Sequence, residues 1–179
     1  MAVINVHERK LDDVSQAATG AGALIDTLAS DEDLLWPYYS WPPMKFDRPL
    51  GVGATGGHGP VRYFIEAYTP GEFVRFRFVR PKGFEGFHAY EVVHEDGQVI
   101  LRHVLKMRAH GPALVTWPLV FRPLHDALIE DSLARAEASL GKPATVQPWS
   151  LWVKFLRWIL SRGRAGSQVM PNQALGPMR

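Results

Sequence analysis

A regular alternation of apolar and polar side chains marks the middle of the chain, from about residue 44 to residue 108. Four segments follow the alternation most closely: 61–68, 73–80, 84–93 and 99–108. Turn signals such as Pro70-Gly71 separate them, so the pattern predicts consecutive antiparallel strands with one apolar and one polar face. Mixed alternation at Val3–Lys10 predicts a first strand, and the glycine-rich residues 51–59 predict a bent or bulged edge strand.

Helical spacing of apolar residues is found on both sides of these strands. It predicts a helix at about Ser15–Ala29, and the acidic run that starts at Ser30 predicts a second short helix that ends at Pro37. A longer helix is expected at Ala113–Leu140, and Pro123 is expected either to kink it or to restart it.

The order of these elements predicts an α+β fold. One curved antiparallel sheet of about seven strands would wrap its apolar face around the long C-terminal helix, with two short helices after the first strand. This is a helix-grip arrangement. It leaves a cavity between the sheet and the helix rather than a fully packed sandwich.

The run from Gly53 to Phe78, GATGGHGPVRYFIEAYTPGEFVRFRF, combines a glycine-rich strand, an alternating strand, a Pro-Gly turn and an Arg/Phe strand. Together with the closing helix at Arg122–Asp131, it resembles the START-like, or helix-grip, superfamily (SRPBCC), which includes Bet v 1-type proteins, START lipid-transfer domains and polyketide cyclases. The resemblance covers about residues 1–142. It implies a hydrophobic cavity for a lipid, a polyketide or another apolar small molecule. No catalytic signature is shared across the superfamily, so the resemblance implies no particular reaction.

The inward faces of the strands and of the long helix predict which side chains contact such a ligand. The predicted wall consists of Tyr63, Ile65, Phe76, Phe78, His88, Tyr90, Leu101, His103, Leu105, Phe121, His125 and Leu128. An aromatic, proline-rich loop lies where this fold closes its cavity mouth. It predicts a pocket rim of Trp36, Tyr38, Tyr39 and Trp41, and plain packing of the loop onto the domain is the alternative.

Two of the inward histidines, His88 and His103, lie on neighbouring strands, and position 88 is expected to pair near residue 103 or 104. Three interpretations of these histidines stay open: core residues with hydrogen-bond partners, contacts to a ligand, or acid/base catalysts. In the catalytic interpretation, His88, His103 or Tyr90 would move protons on a bound poly-ketone, as in polyketide cyclases or aromatases.

The composition of the 179-residue chain excludes several classes of function. Cysteine is missing, which excludes thiol catalysis, iron–sulfur clusters and disulfide scaffolds. The sequence contains neither a closely spaced pair of metal ligands nor a recognisable Ser/His/Asp triad, so no metal and no other cofactor is expected. The chain starts without a signal-peptide pattern, and its longest apolar run, near 112–121, is too short to span a bilayer. A soluble, cytoplasmic protein is therefore expected.

The charge is unevenly distributed along the chain. Residues 1–142 carry a net charge of −3, whereas residues 143–179 contain five basic residues and no acidic residue. A mildly acidic body argues against nucleic-acid binding. The segment Arg75–Phe78 also alternates arginine and phenylalanine, which places the aromatic rings opposite the basic groups rather than beside them. No nucleic-acid partner is expected.

The basic C-terminal segment, residues 143–179, is expected to contain a tryptophan-rich amphipathic helix at about 148–161, followed by a loose tail. At about 21 Å this helix is too short to cross a bilayer, and it is apolar around most of its circumference. It could dock on its own domain, form a homodimer contact, or lie on a membrane surface. The residues for the last two contacts are Trp149, Trp152, Phe155, Trp158 and Ile159.

The sequence thus favours a binding module for an apolar small molecule. The first alternative is an enzyme similar to polyketide cyclases that uses inward His and Tyr side chains. The second alternative is a lipid-binding protein peripheral to a membrane, anchored by its C-terminal helix.

Overall fold

The computed structural model describes residues 1–11 and 14–161, excluding the side chains of residues 14–19. Its strands are β1 (Ala2–Leu11), β2 (Lys45–Phe46), β3 (Thr55–His58), β4 (Val61–Thr69), β5 (Phe73–Arg80), β6 (Phe84–Glu95) and β7 (Gln98–Ala109). Its helical segments are α1 (Val14–Asp26), α2 (Ala113–Thr116), a π-helical turn (Trp117–Phe121), α3 (Arg122–Ser139) and α4 (Leu151–Leu160). The expected loose tail after residue 161 lies outside the described residues.

The seven described strands form one antiparallel sheet in the order β1-β7-β6-β5-β4-β3-β2. The first strand pairs with the last, whereas the others pair as consecutive hairpins. The pairing of β4 with β5 shifts register twice, which leaves Val79 of β5 and Glu66 of β4 without a register partner. Such β-bulges bend the strands. The structure confirms the predicted α+β helix-grip architecture, with its antiparallel sheet and long C-terminal helix.

The long helix is continuous through two prolines because a wider turn joins its parts. Pro118 and Pro123 each stand at the start of a helical segment, where the missing backbone N–H removes little hydrogen bonding. Between them, the backbone N–H of Arg122 donates to the carbonyl of Trp117, five residues earlier. The helix therefore neither stops nor restarts at Pro123, and it accommodates the ring through a π-helical turn.

The second short helix expected after Ser30 is replaced by turns. The buried carboxylate of Asp33 accepts hydrogen bonds from the backbone N–H groups of Ala29, Leu35 and Trp36. Burial raises the pKa of Asp33, and these hydrogen bonds act in the opposite direction. Asp33 therefore caps the backbone N–H groups of a turn. No helix follows, because Pro37 comes within a few residues.

The first helix, α1, packs against β5, β6 and β7. It approaches the turn between β4 and β5 so closely that a Cβ atom at Gly22 would lie 2.6 Å from the carbonyl oxygen of Gly71. Glycine is a poor helix former, so helix propensity alone does not explain its presence here. The structure shows that glycine permits the close contact between two backbones.

Candidate functional site

A cavity of about 250 Å³ lies between the sheet, the long helix and α4. Its wall joins two apolar clusters, one around Tyr90 and Leu128 and a smaller one around Phe84, Leu105 and Trp117. The wall is predominantly apolar, which suits a ligand with little polar surface.

The structure places eight of the twelve predicted ligand-contacting residues on the cavity wall: Phe78, His88, Tyr90, Leu105, His103, Phe121, His125 and Leu128. The other four, Tyr63, Ile65, Phe76 and Leu101, are buried away from it. Phe46 of β2 packs against Tyr63 and Phe76, with ring centroids 5.9 and 6.0 Å apart. Alternation identifies the inward face of a strand, but it does not show where other side chains cover that face. Ligand contact at the eight residues stays a prediction.

Of the four predicted rim residues, two line the cavity and two do not. Trp36 and Trp41 contribute to the cavity wall. Tyr38 and Tyr39 pack instead against α3, where the guanidinium of Arg135 lies 4.7 and 5.3 Å from their ring centroids. These two tyrosines therefore bind the loop to the long helix and are not part of the rim.

Several wall residues are missing from the prediction: His58, Val61, Phe84, Trp117, Val120, Leu124, Ile129, Arg157 and Leu160. Phe84 has the same parity along β6 as His88 and Tyr90, so alternation carries a signal for it. Trp117 and Leu124 continue the helical stripe of Phe121 and Leu128. No sequence signal identifies the contribution of α4, because it depends on where that helix docks.

His88 and His103 form a pair in the wall. The turn at Asp96-Gly97 is tight, so His88 lies opposite Leu105 and His103 lies opposite Tyr90. The two histidines are diagonal neighbours, and Nδ1 of His88 lies 3.3 Å from Nε2 of His103. The pairing was expected one or two residues away, but the predicted proximity is confirmed.

Burial controls the protonation of the histidines in the cavity wall. It lowers the pKa of His88 and His103 well below the ordinary value, and the nearby histidines act in the same direction. Burial also lowers the pKa of His125, and that of His58 to about 3. The cavity wall therefore presents neutral imidazoles near pH 7.

The hydroxyl group of Tyr90, the third catalytic candidate, is held in a short chain of hydrogen bonds. Its Oη lies 2.9 Å from Oγ of Ser132 on α3, and Ser132 in turn donates to the carbonyl of Leu35. This geometry makes Tyr90 the donor to Ser132. Burial raises the pKa of Tyr90, so the hydroxyl stays protonated near neutral pH.

A second polar cluster lies where β1 meets α3. Candidate metal-ligand atoms of His7, His125 and Asp126 lie within 4.8 Å of one another, and they are the one such group among the described residues. Nδ1 of His7 is 2.7 Å from a carboxylate oxygen of Glu130. Burial opposes the charged form of His7, but hydrogen bonds to Asp126 and Glu130 raise its pKa to about 9. Without a metal, the cluster is an ion-pair network with a protonated His7.

The helix expected near 148–161 is present as α4, and Ser150 caps it by accepting a hydrogen bond from the backbone N–H of Val153. One side docks on the domain through Val153 and Leu156. Trp149, predicted to be available for a membrane or a second copy, is buried at 5 % exposure, because its indole packs on Trp41. That part of the prediction is wrong.

The opposite side of α4 is apolar and exposed. It consists of Trp152, Phe155, Trp158 and Ile159, and Trp158 is 54 % exposed. No described helix combines the length and apolar character needed to cross a membrane.

The sequence matches no protein-family model and no curated protein. Several solved structures are similar to this chain in fold. CalU16 from Micromonospora echinospora is 13 % identical, with a TM-score of 0.54 over 92 % of this chain and 86 % of that one. Norcoclaurine synthase from Thalictrum flavum, in complex with dopamine and hydroxybenzaldehyde, is 12 % identical, with a TM-score of 0.54 over 81 % and 90 %. The chain has the helix-grip fold that Bet v 1-like and SRPBCC proteins share.

Proposed function

We propose that this protein binds an apolar small molecule inside the cavity. The observation that carries the proposal is a mainly apolar cavity of about 250 Å³ between the sheet and the long helix. Contact between water and this apolar lining is unfavourable, so an apolar ligand that replaces the water gains binding free energy. Its volume suits a molecule of two or three rings rather than a long lipid.

The fold comparison supports the proposal at the level of architecture. The similar norcoclaurine synthase structure holds two small aromatic molecules, dopamine and hydroxybenzaldehyde. A protein with this fold can therefore bind ligands of the size that this cavity suits.

A cavity-filling substitution tests the proposal. Leu124 lines the cavity and is partly buried. Because an indole is larger than the leucine side chain, Leu124→Trp would fill part of the cavity. Val115→Trp, on the exposed side of α2, adds the same indole outside the cavity. The measurement is a fluorescence titration with the neutral probe N-phenyl-1-naphthylamine, with native mass spectrometry of each purified protein.

We expect the wild type and Val115→Trp to bind the probe alike, and Leu124→Trp to bind it at least about tenfold more weakly. Equal binding by all three folded proteins would place the probe elsewhere and contradict the proposal. A small molecule carried through purification by the wild type but missing from Leu124→Trp would identify the ligand class directly.

A second candidate function is attachment to an anionic membrane surface through α4. The exposed Trp152, Phe155 and Trp158 form an aromatic row, and ring centroids within it are 5.4 and 6.4 Å apart. Residues 143–179 contribute five basic residues and no acidic one. Tryptophan beside basic residues is typical of interfacial segments.

Co-sedimentation with vesicles that contain phosphatidylserine tests this second function. We expect the wild type to bind and Trp152→Ala/Trp158→Ala to lose most of that binding. Val52→Ala, which removes a different exposed apolar side chain, is the matched control and should bind like the wild type. Absence of vesicle binding by the wild type, or a concentration-dependent dimer that the double variant abolishes, would contradict the membrane function.

A further inference from the structure

The His88–His103 pair has two nitrogens that the protein leaves unpaired. Nε2 of His88 and Nδ1 of His103 are buried, and no hydrogen-bond partner reaches either atom from the described residues. The two side chains are 5 % and 0 % exposed. Buried polar atoms are rarely left without a partner, because each forfeits its hydrogen bonds to water. Both residues lie in the wall of the cavity, so a ligand group that reaches these two nitrogens would supply the missing partner.

The shared contact determines what the outer nitrogens offer. One proton lies between Nδ1 of His88 and Nε2 of His103, which are 3.3 Å apart. If His103 donates that proton, then His88 carries its own proton on the outer Nε2, and the outer Nδ1 of His103 is an acceptor. If His88 donates it, the roles are reversed. In either tautomer a neutral pair presents one outer donor and one outer acceptor.

The charge of a ligand group at the histidine pair is limited by the groups around it. Among the described wall residues, the one permanently charged side chain is Arg157. Its guanidinium already donates to the carbonyl of Ser40 and lies 4.2 and 4.6 Å from the rings of Trp41 and Trp149. Nε of Arg157 is buried without a hydrogen-bond partner among the described residues, so an anion would find its counter-charge at Arg157. The neutral histidine pair itself offers an anion no counter-charge.

From this geometry we infer that the natural ligand is a neutral, mainly apolar molecule that carries a hydroxyl group, held by the His88–His103 pair. A hydroxyl both donates and accepts, so it can bond to either outer nitrogen in either tautomer. This inference rests on the proposed cavity function. It adds the chemical class of the ligand and the residues that select it.

Three probes of one shape test the inference: naphthalene, 2-naphthol and 2-naphthoate, titrated by calorimetry at neutral pH. We expect the wild type to bind 2-naphthol at least about tenfold more tightly than naphthalene and to bind 2-naphthoate more weakly than either. In His88→Phe/His103→Leu, which replaces both imidazoles by apolar side chains, the order of 2-naphthol and naphthalene should reverse. In that variant the hydroxyl group of 2-naphthol loses its hydrogen bonds to water and gains no partner, which weakens its binding. Val79→Ala, at an exposed position of β5 outside the cavity wall, should preserve the wild-type order.

The possible outcomes distinguish failure of the histidine-pair inference from failure of the cavity function. Naphthalene and 2-naphthol binding equally to the wild type, a preference for 2-naphthol that survives the double variant, or tighter binding of 2-naphthoate would each overturn the role of the histidine pair and leave cavity binding standing. No binding of any probe would overturn the cavity function and this inference together.

The wild-type protein provides a second measurement if the double variant does not fold. We expect addition of 2-naphthol to shift the side-chain ¹⁵N resonances of His88 and His103, and naphthalene to leave them near their free positions. Identical shifts with both probes would also overturn the inference.

Discussion

The indole of Trp149 donates a hydrogen bond of 2.9 Å to the buried carboxylate of Asp131 on α3. The same carboxylate oxygen accepts a second bond, of 2.7 Å, from the indole of Trp41. One acidic side chain thus joins the aromatic loop, the long helix and the C-terminal segment. The contact crosses the boundary expected near residue 142, and the division into 1–142 and 143–179 stays a prediction.

Removing this carboxylate should destabilise the fold. Asp131→Ala would leave two buried indole N–H groups without that acceptor, and we expect the free energy of unfolding to fall by about 2–4 kcal/mol. Urea denaturation followed by circular dichroism measures the change. Asp31→Ala, at an exposed position, is the control and should change stability by no more than about 0.5 kcal/mol. A loss as small as that of the control would show that the two indoles contribute little.

Gly22→Ala should also destabilise the protein, although alanine is the better helix former by about 1 kcal/mol. The added Cβ would lie 2.6 Å from the carbonyl oxygen of Gly71, and backbone must move to accommodate it. We expect a net loss of about 1–3 kcal/mol in thermal or urea unfolding. Ala23→Gly, on the exposed side of α1, calibrates helix propensity and should cost about 1 kcal/mol. A more stable Gly22→Ala protein would contradict the tight contact.

Acidification should weaken the fold through His58. Burial lowers the pKa of His58 from 6.5 to about 3, so below pH 6.5 the unfolded chain binds a proton that the folded chain excludes. Stability is therefore lost as the pH falls through 6.5. Between about pH 7.5 and about pH 5, His58→Phe should lose about 2 kcal/mol less than the wild type. Phenylalanine keeps the ring contact with Trp36, whose centroid lies 4.7 Å away. Parallel losses in the two proteins would refute the assignment.

His7 should respond in the opposite direction. Its carboxylate partners raise its pKa to about 9, so its stabilisation is complete below pH 6.5 and is lost as the pH rises through 9. The stability advantage of the wild type over His7→Gln should decrease by about 3 kcal/mol between about pH 6 and about pH 10. His94→Gln, on the exposed end of β6, is the control and should track the wild type. An NMR titration midpoint for His7 near 6.5 would rule out the ion-pair network.

The strands and their faces could be predicted from the sequence because alternation and turn residues report local geometry. The proximity of His88 and His103 followed from the hairpin, but their register did not, since it depends on the length of the turn. It was harder to predict which inward-facing residues of a strand line the cavity. Tyr63 and Phe76 have the correct parity, yet Phe46 covers them, and Phe46 belongs to a two-residue strand with no periodic signal.

The sequence could not predict that α4 contributes to the cavity wall, and the reason is different. Its amphipathic pattern shows that some side must be covered, but the partner is decided by Asp131 and Trp41, which lie far away in the sequence. The same holds for Tyr38 and Tyr39, whose position is determined by Arg135 on α3. Aromatic residues near a cavity mouth do not reveal which of them face it.

One ten-residue helix presents its two sides to different surroundings. Leu160 and Arg157 contribute to the cavity wall, whereas Phe155 and Trp158 face outward. Any event that repositions this helix must change the chamber behind it and the surface in front of it together. Thermodynamic linkage then requires reciprocity: a molecule inside would alter the affinity of the outer face by the same factor by which an outer partner alters retention of that molecule.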